Sequence, residues 1–266
     1  MSSEKDILMI DDEQVILDAV NKIASAEGLK VDPVLNAEKA LEKLSSNKYS
    51  LILCDIMMTG IDGFMFLEEL YKKKIKTPVI MITGYSTVEN AVKSLTNGAI
   101  DFIPKPFTFE EISSAINRGL KFSSLQKNIT QGKNKSESVT YVPCPPKYKR
   151  LGNISWMNLE SEGIAAVGAT DLFLEIINDV LKIELMELED EIVQGNVCAR
   201  FETADSLVHN FLSPLSGRII ERNNKLSNNP KLLEKDPYFE GWLYKVIPSD
   251  VEFEEKYLVP CSSDRM

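Results

Sequence analysis

The run from Leu51 to Asp55 constrains the fold more than any other stretch, because four apolar residues end abruptly in a carboxylate. A run this short, bounded by polar and turn residues, is typical of a parallel strand that is buried on both faces. The groups just beyond the carboxyl ends of such strands line a crevice, so Asp55 is a candidate functional residue. The alternative is that Asp55 only caps the following turn.

Four more apolar runs share this pattern and alternate with helical patterns. Strands are predicted at residues 7–10, 31–35, 51–55, 78–83 and 101–103. Capping boxes at Ser86 to Glu89 and at Thr108 to Glu111 predict the starts of the last two helices. The last helix ends at Leu120 or continues to Ile129. This alternation predicts an α/β fold, a doubly wound five-stranded parallel sheet with helices on both faces.

Polar side chains stand at four of these strand ends and converge on one rim of the predicted sheet. They are Asp11, Asp12, Asp55, Thr83 and Lys105. Three crowded carboxylates repel one another and need a counter-ion, and Mg²⁺ suits an all-oxygen shell. With a lysine and a hydroxyl beside them, the group suits phosphoryl transfer with Asp55 as the nucleophile.

This constellation over residues 1–123 resembles the receiver domain of two-component response regulators, which has a flavodoxin-like fold. The resemblance implies that Asp55 is the phosphoacceptor, Thr83 the switch hydroxyl and Phe102 the switch aromatic. It also implies that Lys105 precedes a cis proline, and that Asp11, Asp12, Asp55 and the backbone carbonyl of Met57 hold Mg²⁺.

The same resemblance implies partners and a mechanism. A histidine kinase or phosphotransfer protein would donate the phosphoryl group, Thr83 and Phe102 would then move inward, and a homodimer through this domain is a further expectation. Met57 and Tyr85 occupy the positions that, in the family, tune attack by water, and neither is a carboxylate or an amide able to orient a water molecule. Slow self-dephosphorylation is therefore expected, and Thr59, where proline is usual, is expected to matter little.

Residues 124–149 form a basic, proline-containing segment without hydrophobic periodicity, and we interpret it as a linker. The positive charge of this segment also suits contact with nucleic acid, although a solvated tether is the simpler interpretation. Residues 151–266 carry 10 basic and 21 acidic side chains, a net charge of −11, which argues against a phosphate-backbone binder in that half.

Residues 150–266 change to short strands and turns, which predicts a mostly β sandwich with one helix near residues 170–179. Several motifs resemble the glycine cleavage system H protein, whose lipoyl-type fold presents a lipoylated lysine on a hairpin. They are Ser155-Trp156-Met157-Asn158-Leu159, Val167-Gly168-Ala169-Thr170-Asp171, Ser213-Pro214-Leu215-Ser216-Gly217, Asn229-Pro230-Lys231-Leu232-Leu233 and Asp236-Pro237-Tyr238-Phe239-Glu240-Gly241-Trp242-Leu243.

The lipoyl lysine of that family is absent here. Either Asp205 or Ser206 stands at the predicted hairpin tip, and no lysine occurs between Lys182 and Lys225. Lipoylation needs a primary amine, so we interpret this half as a carrier fold without its carrier chemistry.

The remaining features favour a cytoplasmic protein. No apolar run is long enough to span a membrane, and the first residues lack a signal-peptide pattern. The four scattered cysteines are expected to be reduced thiols, and His209, the only histidine, is expected to be a surface or half-buried packing residue.

These features predict a response regulator rather than a dedicated enzyme, with a binding surface for an unknown protein on the H-like half. Two alternatives remain: a transcription regulator, and a mimic of the lipoyl carrier that acts on lipoyl-handling enzymes. A weaker role for the H-like half, in stability or a dimer contact only, also remains.

Overall fold

A computed structural model describes residues 6–85, 87–130 and 144–263. One compact unit contains a five-stranded sheet, and a second contains two antiparallel sheets. The predicted cap at Ser86 and the middle of the predicted linker, residues 131–143, lie outside the described residues. No helix in the described ranges is long and apolar enough to cross a membrane.

The first sheet is parallel throughout, and its strands run in the order β2-β1-β3-β4-β5. The strands are β1 (Ile7–Ile10), β2 (Val31–Val34), β3 (Leu51–Asp55), β4 (Val79–Thr83) and β5 (Asp101–Pro104). Every residue of β1, β3 and β4 is buried, as a sheet covered by helices on both faces requires. The predicted α/β fold is therefore confirmed.

Five helices alternate with these strands. They are α1 (Gln14–Ala26), α2 (Ala37–Ser46), α3 (Gly63–Lys72), α4 (Val88–Thr96) and α5 (Phe109–Thr130). The predicted capping box of α5 is present, because Glu111 N donates to Thr108 Oγ1 while Thr108 N donates to Glu111 Oε2. At α4 the capping oxygen belongs to Thr87, which accepts from Asn90 N. Helix α5 continues past Leu120 into the predicted linker.

The second unit is mostly β, as predicted, with a seven-stranded sheet in the order β10-β13-β14-β8-β7-β6-β15 and a three-stranded sheet in the order β12-β11-β9. The strands are β6 (Lys149–Leu151), β7 (Ser155–Leu159), β8 (Ala165–Ala169), β9 (Val180–Leu185), β10 (Glu191–Ile192), β11 (Val197–Thr203), β12 (Val208–Leu212), β13 (Gly217–Arg222), β14 (Trp242–Pro248) and β15 (Val259–Pro260). The helices are α6 (Asp171–Ile177), α7 (Lys225–Asn228), α8 (Lys231–Lys235) and α9 (Val251–Glu254), and single 3-10 turns lie at Ser161–Gly163 and Glu255–Tyr257.

Aromatic side chains pack the interior of this unit and join its two sheets. Phe173 of α6 contacts Phe201 and Phe211 of the three-stranded sheet, with ring centroids 5.9–6.0 Å apart. Tyr244 of β14 donates its hydroxyl to the carbonyl of Cys198 in β11 at 2.6 Å, so a side chain from one sheet satisfies a buried carbonyl of the other.

Two sequence expectations were wrong, the first for two of the four cysteines and the second for His209. Cys144 and Cys261 form a disulfide bond, whereas Cys54 and Cys198 are free, buried thiols. The two bonded cysteines stand 117 positions apart, so no local pattern could reveal the pair. His209 is 1% exposed rather than at the surface or half-buried, because β12 points it into the unit.

Candidate functional site

Three carboxylates meet at the carboxyl edge of the parallel sheet. Asp11 follows β1 and Asp55 ends β3, and these strands are neighbours whose register pairs Ile10 with Cys54. Asp11, Asp12 and Asp55 each offer one oxygen, and these oxygens lie within 4.8 Å of one another. Asp11 and Asp55 are buried and Asp12 is exposed, so the cluster opens toward solvent on one side.

Lys105 supplies the positive charge beside this cluster. Its Nζ lies 2.8 Å from Asp11 Oδ2 and 3.5 Å from Asp55 Oδ2. The exposed Glu13, which is not part of the cluster, accepts a hydrogen bond from the same Nζ at 3.3 Å. The peptide bond between Lys105 and Pro106 is cis, as the resemblance implied.

Burial dominates the electrostatics of the site. It raises the pKa of Asp55 from 3.8 to about 6, against the opposing charge of Lys105, and it also raises the pKa of Asp11. Burial acts to lower the pKa of Lys105, but hydrogen bonding and charge from Asp11, with the charge of Asp55, outweigh it, so that pKa is raised. One ammonium therefore faces two buried carboxylates and leaves negative charge uncompensated.

The cluster fits a hard divalent cation. Asp55 Oδ1 is buried and has no hydrogen-bond partner within the described part of the chain, and such an atom is costly unless something else binds it. The donor set consists of carboxylate oxygens, which Mg²⁺ prefers. The carbonyl of Met57 remains a predicted ligand, and the Met57 side chain is half exposed.

Thr83 and Phe102 are both already buried. Thr83 lies at the end of β4, next to β3, and its Oγ1 accepts a hydrogen bond from Tyr85 N at 3.1 Å. Phe102 in β5 is 9% exposed. The roles of these two residues as switches remain predictions.

Gly63 positions the acceptor strand, and sequence reasoning missed it. It is the first residue of α3, and its N–H donates to the carbonyl of Ile56 at 2.9 Å. A Cβ at this position would collide with the carbonyl of Asp55 and would lie 2.9 Å from the Cα of Ile56. The start of α3 therefore approaches the end of β3 more closely than any side chain allows.

In the antiparallel unit, the predicted tip joins β11 to β12 and contains both Asp205 and Ser206. Asp205 Oδ1 accepts from Thr203 Oγ1 at 2.5 Å, and Asp205 Oδ2 accepts from Asn178 Nδ2 at 2.8 Å. Thr203 Oγ1 also lies 3.3 Å from the Nε2 of the buried His209. Ser206 has a left-handed backbone, with φ of 64°. Hydrogen bonds thus hold an aspartate at this tip.

Comparison with known proteins identifies both units. The family model of the response regulator receiver domain matches residues 7–117, and that of the glycine cleavage H-protein matches residues 147–263. A probable glycine cleavage system H protein 1 of Saccharolobus solfataricus is 39% identical over 106 residues, which cover 40% of this chain and 77% of that protein. The chain belongs to the glycine cleavage H-protein family and carries a response regulator receiver domain before it.

Relatives of the receiver domain are regulatory proteins of greater length. The regulatory protein AtoC of Escherichia coli is 32% identical over 129 residues, which cover 48% of this chain but only 28% of AtoC. A CheY-like receiver domain from Methanospirillum hungatei has 33% identity and a TM-score of 0.44, and the match covers 47% of this chain and 99% of that structure. The chain thus spans less than a third of the length of AtoC.

Proposed function

We propose that the chain is a two-component response regulator that accepts a phosphoryl group on Asp55 from a histidine kinase or phosphotransfer protein. The convergence of Asp11, Asp12 and Asp55 within 4.8 Å is the observation that carries this proposal. The position of Lys105, 3.5 Å from Asp55, supports it, because phosphoryl transfer depends on positive charge placed where negative charge is transferred.

In the transfer, an oxygen of Asp55 forms a bond to phosphorus while the phosphorus–nitrogen bond of a phosphohistidine breaks. The donor imidazole keeps the electron pair and takes up a proton. Lys105 faces the transferred oxygens with its ammonium group, and Thr83 can donate its hydroxyl from the adjacent strand. Bound at Asp11, Asp12, Asp55 and the Met57 carbonyl, Mg²⁺ would neutralise charge on the phosphoryl group.

Intact-mass measurement after incubation with acetyl phosphate and Mg²⁺ tests this proposal. The wild-type chain is expected to gain one phosphoryl group and Asp55→Asn none, and chelation of Mg²⁺ should prevent the gain. Asp18→Asn is the matched control, because Asp18 is an exposed carboxylate on α1 that bonds only to Gln14 among the contacts described. Equal incorporation into Asp55→Asn would refute the assignment.

We further propose that the H-protein domain is a protein-binding output and carries no lipoyl group. The absence of lysine between Lys182 and Lys225 supports this, since the amide to lipoate needs an amine. A role in transcription ranks lower, because residues 151–266 have a net charge of −11, which disfavours contact with a phosphate backbone.

A second candidate function is mimicry of the carrier toward lipoyl-handling enzymes, and the retained β11–β12 hairpin with Asp205 at its tip favours it. Mass spectrometry of the chain from lipoate-fed cells should show no lipoyl adduct on the wild type. Asp205→Lys and Ser206→Lys are the informative variants. An adduct on either would support mimicry, failure of both would count against it, and an adduct on the wild type would refute the loss of carrier chemistry.

A further inference from the structure

A disulfide bond joins the two ends of the H-protein domain. Cys144 precedes β6, and Cys261 directly follows β15, with 5.6 Å between their Cα atoms. The bond closes a loop that contains nearly the whole domain, because the two residues are 117 positions apart. Cys144 lies outside the region that matches the H-protein family, so the bond ties the end of the connecting segment to the domain.

Short-range non-covalent contacts also hold this edge, and among the described residues they include a hydrogen bond from Arg150 Nη2 to Ser263 Oγ at 3.0 Å. Strand β15 has two residues, and it pairs with β6 through Val259 beside Arg150 and Pro260 beside Lys149. The N–H of Cys261 donates to the carbonyl of Tyr148 at 2.9 Å. Lys149 also forms an ion pair with Glu255, but both side chains are partly exposed and such pairs contribute little. A strand of two residues is shorter than most, so the covalent bond is a main part of what holds this end of the domain.

The bond covers an aromatic cluster. Cys144 and Cys261 are buried in one core with Tyr148, Trp156 and Tyr238. The rings of Tyr148 and Trp156 are 4.9 Å apart, and those of Trp156 and Tyr238 are 5.9 Å apart. Trp242 packs against the same core. The ends of the domain therefore shield a large apolar surface that their release would expose.

We propose that the Cys144–Cys261 bond is a redox-controlled clamp, opened by a dithiol reductant, whose opening releases β15 and exposes this aromatic cluster. A thiolate of the reductant attacks one sulfur of the bond, and the other cysteine leaves as a thiolate and takes up a proton. The second thiol of the reductant then displaces the first cysteine. The chain gains two electrons and two protons, and the reductant leaves as its own disulfide.

A dithiol is the fitting reductant because Cys144 and Cys261 are buried, so attack requires a brief local movement that exposes one sulfur. The mixed disulfide is then resolved within the same molecule before the edge closes.

The two other thiols of the chain do not compete with Cys144 and Cys261 for the reductant. Cys54 and Cys198 are fully buried, and burial raises the pKa of Cys198 to about 12, so it holds almost no thiolate at neutral pH. This clamp is independent of Asp55 and goes beyond the proposed function.

The test equilibrates the full-length, folded chain with graded mixtures of reduced and oxidised dithiothreitol, followed by rapid alkylation and intact-mass measurement. We expect two alkyl groups to appear together on Cys144 and Cys261, with one midpoint, while Cys54 and Cys198 stay unlabelled. Tryptophan fluorescence should change with the same midpoint, because both tryptophans of the chain, Trp156 and Trp242, lie at the cluster.

Two variants give the test its controls. Cys198→Ala should keep the paired labelling and the fluorescence change, whereas Cys144→Ser with Cys261→Ser should lose the redox dependence of both. The reversible reoxidation of the wild type serves as the readout if the serine variant does not fold. Labelling of Cys144 and Cys261 in the fully oxidised mixture would overturn the proposal, and so would fluorescence that is identical in the two redox states.

Discussion

Asp55 is held in a position that costs the folded chain stability whenever its carboxylate is charged. Asp55 is 3% exposed, and burial raises its pKa from 3.8 to about 6. A raised pKa means that folding favours the protonated acid, so ionisation weakens the fold. This cost falls on the residue that would carry the phosphoryl group, where Lys105 offsets the negative charge only in part.

The raised pKa of Asp55 predicts that removing its charge stabilises the folded chain. In the absence of Mg²⁺, Asp55→Asn should be more stable than the wild type at pH 8, by about 1 to 2 kcal/mol in the free energy of unfolding. The difference should shrink as the pH falls from 6 toward 4, because Asp55 takes up a proton in the folded wild type while the unfolded chain, with the ordinary pKa of 3.8, is still largely ionised. Urea unfolding at pH 8, 6 and 4 measures it.

Mg²⁺ supplies the control for that prediction. It should raise the stability of the wild type at pH 8 and have a smaller effect on Asp55→Asn, which has one carboxylate fewer. Equal stability of the two chains at pH 8 without Mg²⁺ would contradict the burial argument.

A second residue-scale prediction concerns the lifetime of the phosphoryl group. Met57 and Tyr85 are 50% and 64% exposed, and neither side chain has an amide or a carboxylate that could orient a water molecule. The acyl phosphate should therefore decay slowly, and Met57→Asn should shorten its lifetime. Loss of phosphate over time after removal of the donor gives the rate, with Met65→Asn, on the exposed side of α3, as control. No change in Met57→Asn would refute the role given to this position.

At the scale of elements, the contact between α3 and β3 sets the position of Asp55. Gly63→Ala should destabilise the chain by about 1 to 3 kcal/mol, since the added methyl meets backbone atoms that cannot move aside. Gly84→Ala is the control, because a Cβ there meets nothing within 4 Å. Thermal unfolding of both variants measures the difference, and equal behaviour would show that α3 shifts without cost.

The local sequence pattern was sufficient to predict the parallel sheet and its helices. The strands are continuous apolar runs such as β3, and the helices begin at capping residues such as Thr108. The local pattern was insufficient for β6, β10 and β15, which have two or three residues and exist only through pairing with distant strands. The same applies to the site: the acids were predicted from strand ends, whereas Gly63 was missed because its requirement arises from an approach in space.

At the scale of the whole molecule, the proposed function gives the two domains separate roles. The receiver domain would accept the phosphoryl group, and the H-protein domain would bind a partner. Affinity capture with the full chain and beryllofluoride as phosphoryl analogue should recover a different set of partners from wild type than from Asp55→Asn. Asp18→Asn should behave as wild type. Identical partner sets, with analogue binding to the wild type verified, would contradict control through Asp55.

Sedimentation of the same samples tests the expected homodimer. If the receiver domain dimerises on phosphorylation, the analogue should raise the sedimentation coefficient of the wild type and leave that of Asp55→Asn unchanged. An unchanged coefficient in both would remove the dimer from the proposal.

The order of the hairpin tip affects how much conformational entropy is lost when a partner binds there. A lipoylated lysine is a long swinging arm, whereas Asp205 is fixed by Thr203 on one side and Asn178 on the other. Immobilising a free side chain on binding costs about 0.5 to 1.5 kcal/mol, and a tip that is already ordered avoids most of that loss. Under the proposed output role, the tip therefore offers a partner a preorganised carboxylate in place of a mobile arm, which suits selective and reversible recognition rather than delivery of a bound group.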